Sequence, residues 1–260
     1  RYKPTKINIE NVVDISAGYN HTLLVTKDGK IYSFGSNSYG QLGRSENTLL
    51  PKEIPNLENI EKVSAGAYHS MAIGKDGSVY TWGYNGNGQL GNGTTTSNSE
   101  PSKIRLTNIT KIESGEQIST AIDGDGNLYA WGYNYYGEFG NKTTSETNPY
   151  PVKMQKISNI IQISGGESNL IMLESNGSIW ATGRNDNGQL GQNNLTHNIL
   201  PQQMVDANGN EIKEIKEISA GAYHTIALKE DNTVYTTGYN NCGQQGDGTT
   251  TDKKVLTPIT

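Results

Sequence analysis

Short apolar runs alternate with glycine-punctuated polar loops along the whole chain, and the alternation itself recurs. One unit reads Val63-Ser-Ala-Gly-Ala-Tyr-His-Ser-Met-Ala-Ile73, then Asp76-Gly77, then Val79-Tyr-Thr-Trp82, then Gly86-Asn-Gly-Gln-Leu-Gly91. Its counterparts begin at Ile15, Ile112, Ile163 and Ile218. The first-motif glycine falls at Gly18, Gly66, Gly115, Gly166 and Gly221, with spacings of 48, 49, 51 and 55 residues. Self-similarity at that period marks an array of one supersecondary unit.

Each unit carries strand and turn signals. The pairs Asp28-Gly29, Asp76-Gly77, Asp125-Gly126, Asn176-Gly177 and Asp231-Asn232 share one register and predict type I′ hairpins. The following strand has period two. Ile31/Ser33, Val79/Thr81, Leu128/Ala130, Ile179/Ala181 and Val234/Thr236 form a small face; Tyr32/Phe34, Tyr80/Trp82, Tyr129/Trp131, Trp180/Thr182 and Tyr235/Thr237 form a bulky one. Both faces are largely apolar, so both need cover, and stacking bulky on small face supplies it. A fourth strand is expected at Pro51, Pro101, Pro151, Pro201 and Pro258. No segment reads as a helix. The expectation is an all-β propeller of four-stranded antiparallel blades. It is one domain over 1–260, with repeats at 12–59, 60–108, 109–159, 160–214 and 215–260.

The segments Ala-Gly-x-x-His-(Ser/Thr), x-Asp-Gly-x-(Val/Ile/Leu)-Tyr and (Phe/Trp)-Gly-x-Asn-x-x-Gly-Gln-Leu-Gly resemble the repeat of the regulator of chromosome condensation family. Residues 17–43 and 65–91 match almost throughout. Copy three departs at Ile118 and Gly137-Glu-Phe-Gly140, copy four at Asn169, and copy five at Gly243-Gln-Gln-Gly246. The resemblance implies a propeller usually of seven blades, whereas five copies are visible. Residues 1–11, through Pro4-Thr-Lys-Ile7, are expected to be the closing strand of a preceding repeat. The chain then reads as a fragment or a partial propeller, with self-association expected if the ring is open.

Bulk properties narrow the chemistry. The 26 acidic and 21 basic residues contain no basic run, which argues against phosphate-backbone binding. No stretch is long and apolar enough for a transmembrane helix. The single Cys242 excludes a disulfide framework or cysteine-based metal cluster. No cofactor or metal is expected. Gly86–Gly91 spells GxGxxG, but Asn92-Gly-Thr-Thr-Thr-Ser97 follows instead of a helix, so a dinucleotide site is rejected. His21, His69 and His224 share one repeat position, occupied elsewhere by Ile118 and Asn169. They are read as imidazoles bonding turn carbonyls, and His197 as an isolated loop residue. No catalytic motif appears, so no catalytic residue is assigned.

Strand counting puts the Ala-Gly-x-x-His turns and the Gly-x-Asn-x-x-Gly loops at one end, here the top. Nine of the fifteen tyrosines map there. Tyrosine offers contact area and a polar tip at low entropic cost, as recognition surfaces require. Tyr19, Tyr68 and Tyr223 are read as one repeat position, and Tyr84, Tyr133 and Tyr239 as another. Positions breaking the repeat carry more information: Glu116, Gln117, Tyr135 and Tyr136 in copy three, with Glu167, Ser168, Arg184 and Asp186 in copy four. The expected partner surface comprises Tyr135, Tyr136, Glu116, Gln117, Arg184, Asp186, Tyr84 and Tyr239. At the opposite end, Val205–Ile212 reads as an inserted hairpin. The leading expectation is a non-catalytic protein-binding module. Alternatives are an enzyme inhibitor, an exchange-factor-like regulator of a small GTPase, a carbohydrate-active enzyme, or a spacer in a bacterial surface protein. Asn-, Lys-, Ile- and Thr-rich wording suggests a bacterial gene and a secreted or surface protein.

Overall fold

A computed structural model describes residues 3–259. The repeat becomes five antiparallel sheets, each a four-stranded meander in sequence order. Blade one comprises β1 (Val12–Ala17), β2 (His21–Thr26), β3 (Ile31–Gly35) and β4 (Thr48–Glu53). Blades two to five span 60–103, 109–153, 160–203 and 215–258. No helix occurs among the described residues. The first strands of successive blades are neighbours around the channel, and each blade packs on the next. The architecture is a β-propeller arc.

The apolar core lies between blades. Leu23, Val25 and Ile31 of blade one enclose Ile60, Val63 and Trp82 of blade two, and three more clusters repeat this arrangement. Bulky on small face is the packing the period-two pattern demands. Loop glycines permit the close approach. A Cβ on Gly88, at φ 84°, would lie 2.6 Å from Cα of Pro149 in the next blade.

A polar seam runs through the same interfaces. The main-chain oxygen of Gln41 accepts the Ser70 hydroxyl at 2.8 Å and the Trp82 indole at 2.9 Å. Gln89 receives Ser119 and Trp131 in the same way. Glu138 receives Thr182, and Gln189 receives Thr225. Because the serine proton goes to that carbonyl, His21 Nε2 must donate to Ser70 Oγ at 3.0 Å, and His69 to Ser119 at 2.9 Å. Both rings therefore carry a proton on Nε2, and their burial keeps them neutral. Burial lowers His21 to about 4 and, with the His21 charge nearby, His69 to about 3. Each ring sits against its motif glycine, where a Cβ on Gly66 would fall 2.1 Å from Cε1 of His69. His21 and His69 thus bond the next blade's hydroxyl, not a turn carbonyl; His224, on the last blade, meets no such hydroxyl among the described residues.

Three local expectations change. The hairpins are type I turns closed by Gly29 N donating to Thr26 O, with only the fourth residue left-handed (Gly29, φ 83°). This three-residue loop with a bulged glycine needs one positive φ, not two. The fifth sheet pairs Tyr235 with Pro258 where blade one pairs Tyr32 with Glu53. Leu256, and not Pro258, therefore stands at the Pro51 position. Tyr19 is one residue earlier than Tyr68 and Tyr223, since Gly18, Gly66 and Gly221 each bond the carbonyl three residues on. It aligns with Ala67, Glu116, Glu167 and Ala222. The Val205–Ile212 hairpin is present, bridged from Val205 to Glu211.

The arc is open. Ile15 is 70% exposed, whereas its equivalents Val63, Ile112, Ile163 and Ile218 are 3–8% exposed. On blade five, nothing lies within 3.8 Å of a Cβ built at Gly243, and His224 is only half buried. Residues 4–10 form no strand.

Where the seam is broken, its value can be measured. Asn169 is fully buried with both amide atoms unpaired, because asparagine is too short for the histidine's reach to Thr225. Asn169→His should restore the bond and replace two orphaned polar atoms by one, the Nδ1 that His21 and His69 also leave unpaired, gaining about 1 kcal/mol. We expect a melting temperature 2–4 °C higher by circular dichroism, roughly that gain at this chain length; a lower one would contradict the seam.

Candidate functional site

The turns after the first strands ring the top of the channel. Their amides are spent on one another: Tyr19 N donates to Ala67 O, Ala67 N to Glu116 O, Glu116 N to Gly166 O, and Glu167 N to Ala222 O. The mouth is a cleft of about 230 Å³ lined by turns of all five blades, with Tyr19, Glu116 and Glu167 at its rim. The Tyr19 phenol meets the Glu116 carboxylate. Burial and that carboxylate together raise Tyr19 to about 12, and burial also raises Glu116. A second cleft, of about 410 Å³, runs deeper along the first strands between Asp14, Lys62, Lys111 and Glu113. Burial, then the Asp14 charge, raises Glu113 to about 7.

Two strings of aromatic rings flank the mouth. One joins Tyr19, Tyr68, Tyr39 and Tyr84, with ring centroids 5.6, 5.2 and 4.9 Å apart. The other joins Tyr133, Tyr135, Tyr136 and His197, at 6.2, 5.0 and 4.9 Å. Arg184 links the second string to blade five. Its guanidinium lies 5.3 Å from the centroids of both Tyr136 and Tyr223, and Tyr223 packs on Tyr239. Nε donates to Asp186 at 2.7 Å and Nη1 to Glu167 at 3.3 Å.

The anticipated residues therefore divide. Tyr135, Tyr136, Arg184 and Asp186 form one cluster, with Tyr239 reached through Tyr223. Tyr84 belongs to the opposite string. Glu116 stands at the mouth beside Tyr19, and Gln117 is half buried with its carbonyl accepting Tyr133 N. Arg184 is committed to four groups and is a brace, not a free anchor. Tyr135 and Tyr39 remain open, at 51% and 44% exposure. His197, read as isolated, accepts Asn185 N at 3.1 Å and packs edge-on against Tyr136. It occupies the loop position of Asn47, Ser97 and Asp252, which cap their loops identically. That equivalence was the missed signal.

These features belong to a recognised repeat. A sequence model of the Regulator of chromosome condensation (RCC1) repeat matches residues 28–73, 76–122, 125–173 and 176–228, and a second model matches five segments from 12–41 to 215–244. The chain belongs to the RCC1 repeat family. It is 28% identical over 259 residues to the human probable E3 ubiquitin-protein ligase HERC3, covering 98% of this chain and 20% of that protein. The chain spans between 4% and 56% of the length of the curated relatives it matches. Among solved structures it is similar to human WBSCR16, with TM-score 0.84, 25% identity, and 96% and 67% of the two chains covered. It also resembles Prp20p from Saccharomyces cerevisiae in fold, with TM-score 0.71, 20% identity, and 96% and 77% covered. The RCC1 repeats account for the scaffold; the residues at the top are where this chain's own copies differ from one another.

One deviation titrates. Glu138 replaces the loop glutamine of Gln41, Gln89 and Gln189, and its Oε2 accepts Tyr136 N at 3.0 Å as their Oε1 atoms accept the loop amide. Oε1 is buried without a partner, and burial raises the carboxyl to about 8. The folded state thus holds a proton that the unfolded chain releases above pH 4.5, so this group costs stability progressively up to about pH 8. Glu138→Gln should leave the melting temperature nearly unchanged at pH 5 and raise it several degrees at pH 8. Equal shifts at both pH values would show that Glu138 ionises freely in the fold.

Proposed function

We propose that this RCC1-repeat chain is a non-catalytic protein-binding module whose partner docks on the loop end of the arc. The observation carrying this reading is the pair of tyrosine strings flanking an acidic mouth, with exposed rings on both sides. Such rings bring large area with few rotors to freeze, and the hydrogen-bonded turns beneath hold them in place. Channel carboxylates serve binding and structure: Asp14 accepts Val63 N at 2.9 Å, and Glu167 holds Arg184. Support also comes from the relatives, since the Prp20p structure is described with binding to Gsp1p and histones. Only the broad property, binding proteins, is carried to this chain. Regulation of a small GTPase, inhibition of an enzyme, and a bacterial surface setting are narrower versions of the same proposal.

The test uses a partner isolated by affinity capture and then titrated as a purified protein. Tyr135→Ala and Tyr39→Ala should each weaken binding about tenfold, as truncated interface aromatics do, with melting temperature unchanged. Arg184→Ala should weaken binding and also lower stability by about 1 kcal/mol, because it frees Tyr136, Tyr223 and Glu167 together. Asn208→Ala, in the hairpin at the far end, should change neither. Binding lost only in the far-end variant would overturn the assignment of the face.

A further inference from the structure

We infer that the channel mouth is a receptor for one cationic side chain, a lysine or arginine of the docked partner, seated between Glu116 and Glu167. This rests on the docking face proposed above and gives its partner a chemistry.

Three observations converge on a cation. The turn amides that could bind an anion are consumed: Tyr19, Ala67, Glu116 and Glu167 all donate across to the next turn. What faces the opening is then an acceptor-rich rim of carbonyls and carboxylates. Glu116 forms no salt bridge among the described residues, and Glu167 shares Arg184 with Asp186. Behind burial, the Glu167 charge also contributes to the upward shift of Glu116, so the two carboxylates lie near enough to repel. A cation placed between them relieves that repulsion.

The third observation is independent of charge. Ser114 lines the mouth, is 9% exposed, and its hydroxyl has no hydrogen-bond partner. The equivalent positions are Ala17, Ala65, Gly165 and Ala220, so this hydroxyl serves no recurring structural need. Buried polar groups without partners are rare enough to require a reason. An ammonium or guanidinium entering between the two glutamates would satisfy it.

Copy three supplies Glu113, Ser114, Glu116 and Gln117 consecutively around Gly115, where the other copies have serine, alanine or glycine at the first two positions. The cleft of about 230 Å³ admits a single side-chain head but no folded element. Tyr19 at its rim, 60% exposed, can lie against the aliphatic stem.

The same head group occurs on free polyamines, so the probes must separate the sources. The intact chain, labelled with ¹⁵N, would be titrated with N-acetyl-lysine methylamide, N-acetyl-arginine methylamide, the neutral N-acetyl-norleucine methylamide, and spermidine. Lysine or arginine probes should shift the amides of Ser114, Glu116 and Glu167, and norleucine should not. Glu116→Gln should weaken binding about tenfold, the usual loss for a charged hydrogen-bond partner, and Ser114→Ala about threefold. Norleucine binding equally, or no shifts at the mouth, would overturn the inference. Spermidine binding more tightly than either amino-acid probe would overturn the assignment to a partner side chain. If Tyr135→Ala weakens the purified partner while Glu116→Gln does not, the docking face stands and the mouth receptor falls. If neither variant has an effect, both fall.

Discussion

The buried main-chain carbonyl at Gln41, Gln89, Glu138 and Gln189 is the constraint around which the blades are arranged. An unpaired carbonyl in an apolar interface costs several times what the bond contributes when made. Its donor must come from the next blade. Using a hydroxyl as that donor fixes the direction of its second bond: the hydroxyl must accept from the histidine Nε2–H, and burial keeps that histidine neutral. Residues about 50 positions apart are thereby coupled. The coupling is visible where it is replaced whole, since blades three and four meet through Ile118 and Leu170, both buried in one cluster. Asn169 is the one place where half of the pair changed without the other.

Fixing the seam leaves the top free to vary. Its turns are tied by amide-to-carbonyl bonds that make no demand on side chains, so the same backbone carries Tyr19, Ala67, Glu116, Glu167 or Ala222. A rigid frame presenting variable groups is how loops come to carry function. The variation is concentrated in blades three and four. There, a glutamate replaces the loop glutamine, an arginine replaces a tyrosine, and a histidine caps the loop.

The sequence showed the scaffold clearly because strands and hairpins are local. Period-two alternation identified the bulky and small faces, and the structure stacks them as that pattern requires. Hidden from it were contacts whose partners lie a full repeat away. The histidine motif looks identical whether the ring bonds its own turn or Ser70, and only the interface decides. Tyr19 was misaligned because matching residue type is weaker evidence than the hydrogen bond from Gly18 to His21. Tyr135, which is exposed, and Tyr136, which is half-buried beside it, were legible as breaks in the pattern. Ser114 was legible in the same sense, yet one hydroxyl among alanines carries no signal until its lack of a partner is seen.

The two open faces of the arc are not chemically equal. Blade one keeps the apolar residues that elsewhere enter the core, with Val12 38% and Ile15 70% exposed against 1–8% at their equivalents. Blade five instead places Gln245 where the other loops put Leu42, Leu90, Phe139 and Leu190 into the interface. That amide is satisfied within its own blade: Nε2 donates to Gly238 O, and Oε1 accepts the Thr236 hydroxyl. A polar side chain already paired gains nothing from apolar cover, whereas exposed Ile15 gains by about 25 cal/mol per Å² removed from water. Pairing through an open face therefore draws its driving force from blade one. Blade one nevertheless keeps the seam's hydroxyl donor, because Thr22 stands at the position of Ser70, Ser119 and Thr225, while Phe34 at the place of Trp82 offers no indole N–H. The exposed face of blade one is thus complementary to an apolar surface with a carbonyl at its loop edge, the chemistry that Gln41 offers to blade two.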